Sequence, residues 1–471
     1  MKNVFKSILF AASVLLVSAC SGSTGAKYVF YLIGDGMGIN QVIGTQEYNE
    51  ATGNGPAVIN FAEFPVRNFI TTVSASSLVT DSAAGGTALA SGVKTYNSAV
   101  GVDMDGAPVS SLTEWAAAAG FGTGIATSVG INHATPACFM AHTARRGNYE
   151  DISTQYMTAP VDFAAGAGFI CEKKSGNDAA FFEKMAEESG ITVLKGPEAF
   201  KDVQSVQGRV LCLSGKPQVD LPYAIDRGED DTTLSDFVDA GIRYLEGKFA
   251  KKGFFFMIEG GKIDYGGHAD DGATCFRELT DFASAIDLVL AFYERHPKET
   301  LILVTADHET GGLMLGAGLY EMHPERLGNQ TMSKDALTAL FRDTFFPEGQ
   351  AYRAPSWDAV KDFFRENLGL WGKVEVDAKT EEALHETFEQ TFGKKGNREL
   401  SETNLYSVNS KMVSEAVRCL NRAAGYGWSY GSHSGSPVGL YVKGARAEEF
   451  GEVRDNAEIA PLIARLAGYA R

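Results

Sequence analysis

Short apolar runs recur along the chain at 28–33, 123–127, 254–258, 301–305 and 438–442. They are too short for core helices and are flanked by glycine or polar residues, which predicts strands buried on both faces. Between them, apolar positions return every three or four residues at 87–93, 112–119, 179–189, 234–248 and 278–295, which predicts helices. Strands alternating with helices indicate an α/β fold, a large and mostly parallel central sheet covered by helices on both faces. The segment 320–424 breaks this rhythm. Helical periodicity at 333–345, 356–368, 380–392 and 409–424 marks a helical insertion near the C-terminal part, dividing a catalytic domain of 28–319 and 425–471. Residues 203–231 are polar and read as an irregular surface connection.

In such sheets ligands bind beyond the carboxyl ends of the strands, so the residues that follow each strand carry information. The first run leads into Gly34-Asp35-Gly36-Met37-Gly38, and the third into Glu259-Gly260-Gly261-Lys262-Ile263-Asp264 with His268 beyond. The fourth leads into Ala306-Asp307-His308-Glu309. One Asp after a strand is ordinarily a helix cap. Three such clusters at one rim point to ion or phosphate binding instead.

The N-terminus adds an address. Lys2 and Lys6 precede an apolar stretch at 8–17, and Val17-Ser18-Ala19-Cys20 ends it in small residues. The segment 1–19 reads as a signal peptide and 20–27 as a tether. Cys20 sits where lipoprotein processing would place the lipidated residue; a plain signal peptide with an incidental cysteine is the alternative. Export, with anchoring to a bacterial membrane on the periplasmic or cell-surface side, is the expectation. No other run approaches the roughly 20 apolar residues of a membrane span. A formal charge of −17 argues against nucleic acid as a partner. It does not exclude a small phosphate ester, because bound metal ions can reverse the local field. Cys138, Cys171, Cys212, Cys275 and Cys419 form no CxxC or CxxH pair, so a cysteine zinc site is not expected. Cys171 with Cys212 is a conceivable disulfide.

The densest signal is Thr80-Asp81-Ser82-Ala83-Ala84-Gly85-Gly86-Thr87-Ala88. A serine after Asp and before small residues can open a helix, where free amides attract a phosphate; an ordinary Asp/Ser cap fits this stretch equally well. There is no GxSxG elbow and no Ser-His-Asp arrangement, so the serine needs activation from elsewhere, and a metal can supply it.

Asp81-Ser82-Ala83-Ala84 followed by Ser91-Gly92-Val93-Lys94-Thr95-Tyr96-Asn97 resembles the nucleophile segment of the alkaline phosphatase family. The clusters at 33–38, 259–268 and 305–308 resemble three of its metal-binding segments, and Ser432-His433-Ser434-Gly435 its last histidine segment. The matches run in family order from residue 28 to about 442, with none in the insertion. The resemblance implies hydrolysis of small phosphate monoesters with two Zn²⁺ and one Mg²⁺. It assigns Asp264, His268 and His433 to one zinc, and Asp35, Asp307, His308 and Ser82 to the other. Asp35 would bridge to magnesium, with Thr135 and Glu259. Ser82 would be the nucleophile, and Arg146, oriented by Asp81, would bind substrate oxygens in preference to the adjacent Arg145. His133 and Tyr265 would stand just outside the metal ligands. His133 occupies a position where the enterobacterial pattern has Asp, which implies a weaker magnesium site or one that recruits zinc. Tyr265 replaces a lysine, which implies one phosphate contact fewer. Family members are often dimers, but nothing here decides between homodimer and monomer.

A phosphodiesterase with a similar two-zinc core is the nearest rival. Thr135, Glu259 and a serine nucleophile favour the monoesterase. A sulfatase is disfavoured by the lack of a CxPxR-type segment. A catalytically dead phosphate-binding lipoprotein is disfavoured because every expected ligand is present. The remaining histidines, His142, His296, His323 and His385, read as structural or surface residues.

Overall fold

The computed structural model describes residues 25–172, 176–318, 320–348, 353–393 and 399–469; the segment expected to be a signal peptide and Cys20 lie outside them. Nine strands make the central sheet: β1 (Tyr28–Gly34), β2 (Val66–Ile70), β3 (Gly122–Thr127), β4 (Phe163–Gly166), β5 (Thr192–Lys195), β6 (Val210–Leu213), β7 (Phe254–Gly260), β8 (Thr300–Thr305) and β9 (Val438–Gly444). Their spatial order is β2-β9-β8-β1-β7-β3-β4-β6-β5. All pairings from β8 to β5 are parallel, and β9 runs antiparallel between β8 and β2. Strand β6 falls inside the stretch expected to be irregular. Ala26, expected in the tether, is buried and its N–H donates to Leu466 O at 3.1 Å.

Every residue of β1, β3, β7 and β8 is buried, as strands covered on both faces must be. On one face Phe30, Phe254 and Phe292 pack edge to face, Phe292 coming from the helix Gly272–Arg295. On the other, Phe139 stacks on Phe255. Each such ring contributes roughly 1.5–3 kcal/mol by leaving water. The helices of 320–424, Lys334–Phe345, Trp357–Leu368, Ala378–Phe392 and Lys411–Ala423, gather around a second apolar core. Tyr48, Phe276 and Tyr426 join that core to the body. The segment also carries a small hairpin, Ser401–Thr403 paired with Val408–Ser410.

Among the described residues no helix is long and apolar enough to cross a membrane. All five described cysteines are free, so the conceivable Cys171–Cys212 bridge is not formed.

Candidate active site

The register of the sheet assembles the site. Gly34 pairs with Gly260, Ile33 with both Glu259 and Thr305, and Thr127 with Glu259. Four parallel strands therefore end level, and the residues beyond them share one rim. Asp35 is held there by its N–H on Gly260 O at 3.2 Å. Gly36 turns with φ +71°, and a Cβ on it would stand 2.8 Å from Asp264 Cα. Only glycine lets the Asp35 and Asp264 segments come this close.

Ser82 opens the helix Ser82–Ser91. Asp81 Oδ1 caps it, accepting from the N–H groups of Ala84 and Ser98, both at 3.0 Å. This is the capping role that the sequence allowed, and it coexists with a reactive placement: Ser82 Oγ lies 3.2 Å from His308 Nε2. Small residues in the helix bring it against the Asp307 backbone.

Three groups of side chains each bring their donor atoms within 4.8 Å of one another: Asp264/His268/His433, Asp35/Asp307/His308 and Asp35/His133/Glu259. In the first, His268 Nδ1 is bonded to Gly431 O at 3.0 Å and His433 Nδ1 to Thr80 O at 2.9 Å. A carbonyl can only accept, so both Nδ1 atoms carry a proton, and the Nε2 atoms, 3.1 Å apart, are the ones left to bind a cation. Two lone pairs aimed at one point fit a shared cation. In the second group His308 Nε2 lies 3.4 Å from both Asp35 Oδ1 and Asp307 Oδ2. Thr310 Oγ1 donates to Asp264 and so accepts from His308 Nδ1, which frees Nε2 in the same way.

The charges agree. Burial, then Asp307, Asp264 and Glu259, raises the Asp35 carboxyl well above its ordinary range. Burial lifts Asp307 to about 7, with Asp264 adding to it. Burial likewise lifts Glu259 to about 7, against the hydroxyls of Thr127 and Thr135. Asp264 is also buried, yet His268, His433 and His308 hold it below its usual value. Asp35 Oδ1 and Oδ2, Glu259 Oε1, Asp264 Oδ2 and Asp307 Oδ2 are buried with no hydrogen-bond partner. Four buried carboxylates with unpartnered oxygens ionise together only if cations join them.

Arg146 reaches the same place, with Nη1 3.5 Å from Asp81 Oδ2 and Nη2 donating to His133 Nε2 at 3.2 Å. Arg145 is exposed. His133 belongs directly to the third group, its Nδ1 buried and unpartnered, and burial with Arg146 pushes it down to about 3. Thr135 is buried in the short helix Ala134–Ala137 beside it. The structure thus brings together Asp35, Asp81, Ser82, His133, Thr135, Arg146, Glu259, Asp264, Tyr265, His268, Asp307, His308 and His433. His142 is not among them; its ring bonds Gly101 O at 2.7 Å and Glu114 at 3.3 Å.

Three site residues escaped the sequence reading: Thr127 and Thr310, which orient carboxylates, and Tyr406. Thr310 is adjacent to a recognised motif; Tyr406 lies in the insertion, and no pattern marked it. The groups open into a cleft of about 620 Å³ lined by Thr80, Asp81, His268 and His433 and roofed by Thr403 and Leu405.

The alkaline phosphatase family model matches residues 26–164 and 199–469. Alkaline phosphatase 4 of Bacillus subtilis is 30% identical over 451 residues, 93% of this chain and 88% of that protein. The structure of a cold-active alkaline phosphatase from Shewanella sp. superposes with a TM-score of 0.73 at 28% identity, covering 93% of this chain and 99% of that one. A His-to-Asp mutant of TAB5 alkaline phosphatase, solved with magnesium bound in its M3 site, gives 0.64 at 25% identity over 95% of this chain and 99% of that one.

Proposed function

The chain belongs to the alkaline phosphatase family, enzymes that hydrolyse phosphate monoesters, and from that premise we propose that it works through a phosphoserine on Ser82 at a site for two zinc ions and one magnesium. Asp264, His268 and His433 would hold one zinc, and Asp35, Asp307 and His308, with Ser82, the other. Asp35, Thr135 and Glu259, with His133 beside them, would hold the magnesium; the TAB5 mutant, with magnesium in its M3 site and Asp in place of a histidine, supports a third metal site, and His133 here would make it a weaker one for magnesium. The donor chemistry fits, imidazoles grouping with the zinc sites and oxygen predominating at the third. When bound, these ions supply the positive charge that lowers the serine pKa and offsets charge on the entering and leaving oxygens.

The chain's own residues do the rest. Ser82 Oγ, presented at a buried helix N-terminus, attacks phosphorus; the P–O bond to the leaving alcohol breaks on the opposite side. Water then hydrolyses the phosphoserine, releasing phosphate and restoring the hydroxyl. Arg146 binds two non-bridging oxygens in its planar fork, and Asp81 fixes its orientation. The observation that carries this reading is Ser82 Oγ at 3.2 Å from His308 Nε2, among carboxylates that need cations.

Hydrolysis of p-nitrophenyl phosphate should vanish on chelation, return with zinc and magnesium, and fall by at least about three orders of magnitude in Ser82→Ala. A wild type that, fully loaded, cleaves only the bis ester would transfer the assignment to a diesterase. We also propose that Cys20 carries lipid and tethers the enzyme to a bacterial membrane, as the small-residue run before it supports. Cys20→Ser should move activity from the membrane fraction to the soluble one; retention in membranes would refute the anchor.

A further inference from the structure

Tyr406 sits at the turn of the hairpin that the insertion lowers over the site. Asn404 Oδ1 shapes that turn, accepting from the N–H groups of Tyr406 at 2.9 Å and Ser407 at 2.6 Å. The hairpin is pinned from several sides. Arg418 pairs with Glu402 and, at 3.6 Å, with Asp270; Arg342 donates to Val408 O at 2.9 Å; Thr338 donates to Asn409 at 3.0 Å. Held this way, the Tyr406 ring stacks on Tyr265 at 3.7 Å between centroids, with 20° between planes. It lies 5.3 Å from the His268 ring and 6.1 Å from that of His133.

The Tyr406 hydroxyl is buried and has no hydrogen-bond partner. A buried tyrosine hydroxyl ordinarily has one. The charged groups nearest in effect are Asp264, Arg146 and Asp35, which the proposed function assigns to the metals and to the substrate's oxygens. Tyr265 is turned to Asp220 and serves as the platform, so it does not make the contact that a lysine at 265 would.

We propose that Tyr406 is a phosphate-contacting residue: its hydroxyl donates a hydrogen bond to a non-bridging oxygen of the bound phosphoryl group, opposite Arg146, while Tyr265 holds the ring in place. The inference rests on the monoesterase reading for what the phosphate belongs to. It gives the insertion a part in substrate binding and supplies, from a distant segment, the donor that position 265 lacks.

Tyr406→Phe tests it in the metal-loaded full chain, since it deletes one oxygen and keeps the stacked ring. Inorganic phosphate is the probe, as a competitive inhibitor of p-nitrophenyl phosphate turnover and by titration calorimetry. Loss of a hydrogen bond to a charged partner should raise both constants about tenfold, with the thermal midpoint of the phosphate-free protein unchanged. Phosphate constants within a factor of two of wild type would overturn the proposal, and so would a fall in midpoint with phosphate binding intact. A wild type that binds phosphate tenfold more tightly than Tyr406→Phe, yet cleaves no monoester, would keep the contact and refute the monoesterase reading.

Discussion

Burial decides the proton on Glu259: it outweighs the hydroxyls of Thr127 and Thr135 and the charge of Arg146, which favour the ionised form, and Asp264 adds to it. In the metal-free protein its carboxyl moves from 4.5 to about 7. The folded chain then binds the proton more tightly than the unfolded chain. The contribution is intact below pH 4.5 and is lost as pH rises through 7. Glu259→Gln has no such proton to release. By calorimetry, the chelated variant should therefore gain a few degrees on chelated wild type between pH 4.5 and 8, and lose that advantage when metals are restored. Parallel pH profiles for the two chelated proteins would contradict the assignment. Asp35, Glu259, Asp264, His268, Asp307 and His308 were legible at this scale because each lies just beyond an apolar run, whereas Asp81 and His433 stood out as site residues only through the family resemblance. Thr127, Thr310 and Tyr406 were not legible, since a hydroxyl's role depends on what folding brings opposite it.

Among the elements, the helix Ser82–Ser91 shows local and tertiary demands in conflict. Replacing Gly85 by Ala in an isolated helix should stabilise it by up to about 1 kcal/mol. Here the added Cβ would stand 2.9 Å from the Asp307 carbonyl oxygen and 3.2 Å from its Cβ. Gly85→Ala should lower the thermal midpoint and cut phosphatase turnover by displacing Asp307; a stabilised, fully active variant would show that this segment yields. The same contrast governed which strands could be read. Strands β1, β7 and β8 announced themselves because both faces are buried and Gly or Asp ends each run. Strands β4 and β6, four residues each, lack the length to make a pattern, and β5 at the sheet edge is half-exposed. That is why residues 203–231 read as an irregular connection although β6 runs through them. The hairpin at 401–410 is shorter still, and its companions are the helices that dominated the pattern of the insertion.

Across the whole molecule, stability comes from two apolar cores joined by Tyr48, Phe276 and Tyr426, with no covalent cross-link among the described residues. Cys138, Cys212, Cys275 and Cys419 are buried, and burial raises their thiols. The thermal midpoint should be the same with and without reductant, and a thiol reagent added to the native protein should modify Cys171 first. A reductant-dependent midpoint would reveal a bridge that the fold does not show.

Strand β1 lies between β7 and β8, and the Tyr28 hydroxyl meets Ala250 O across 222 residues of sequence. A fold whose central strand waits for partners so far along the chain has a high contact order and forms slowly. An emerging polypeptide consequently has no finished rim until β7 and β8 exist. It has no complete imidazole pair until His433 arrives with β9. Metal capture and turnover are thus deferred by topology: the order of synthesis keeps the chain inert until its last sheet strand has emerged, wherever that takes place.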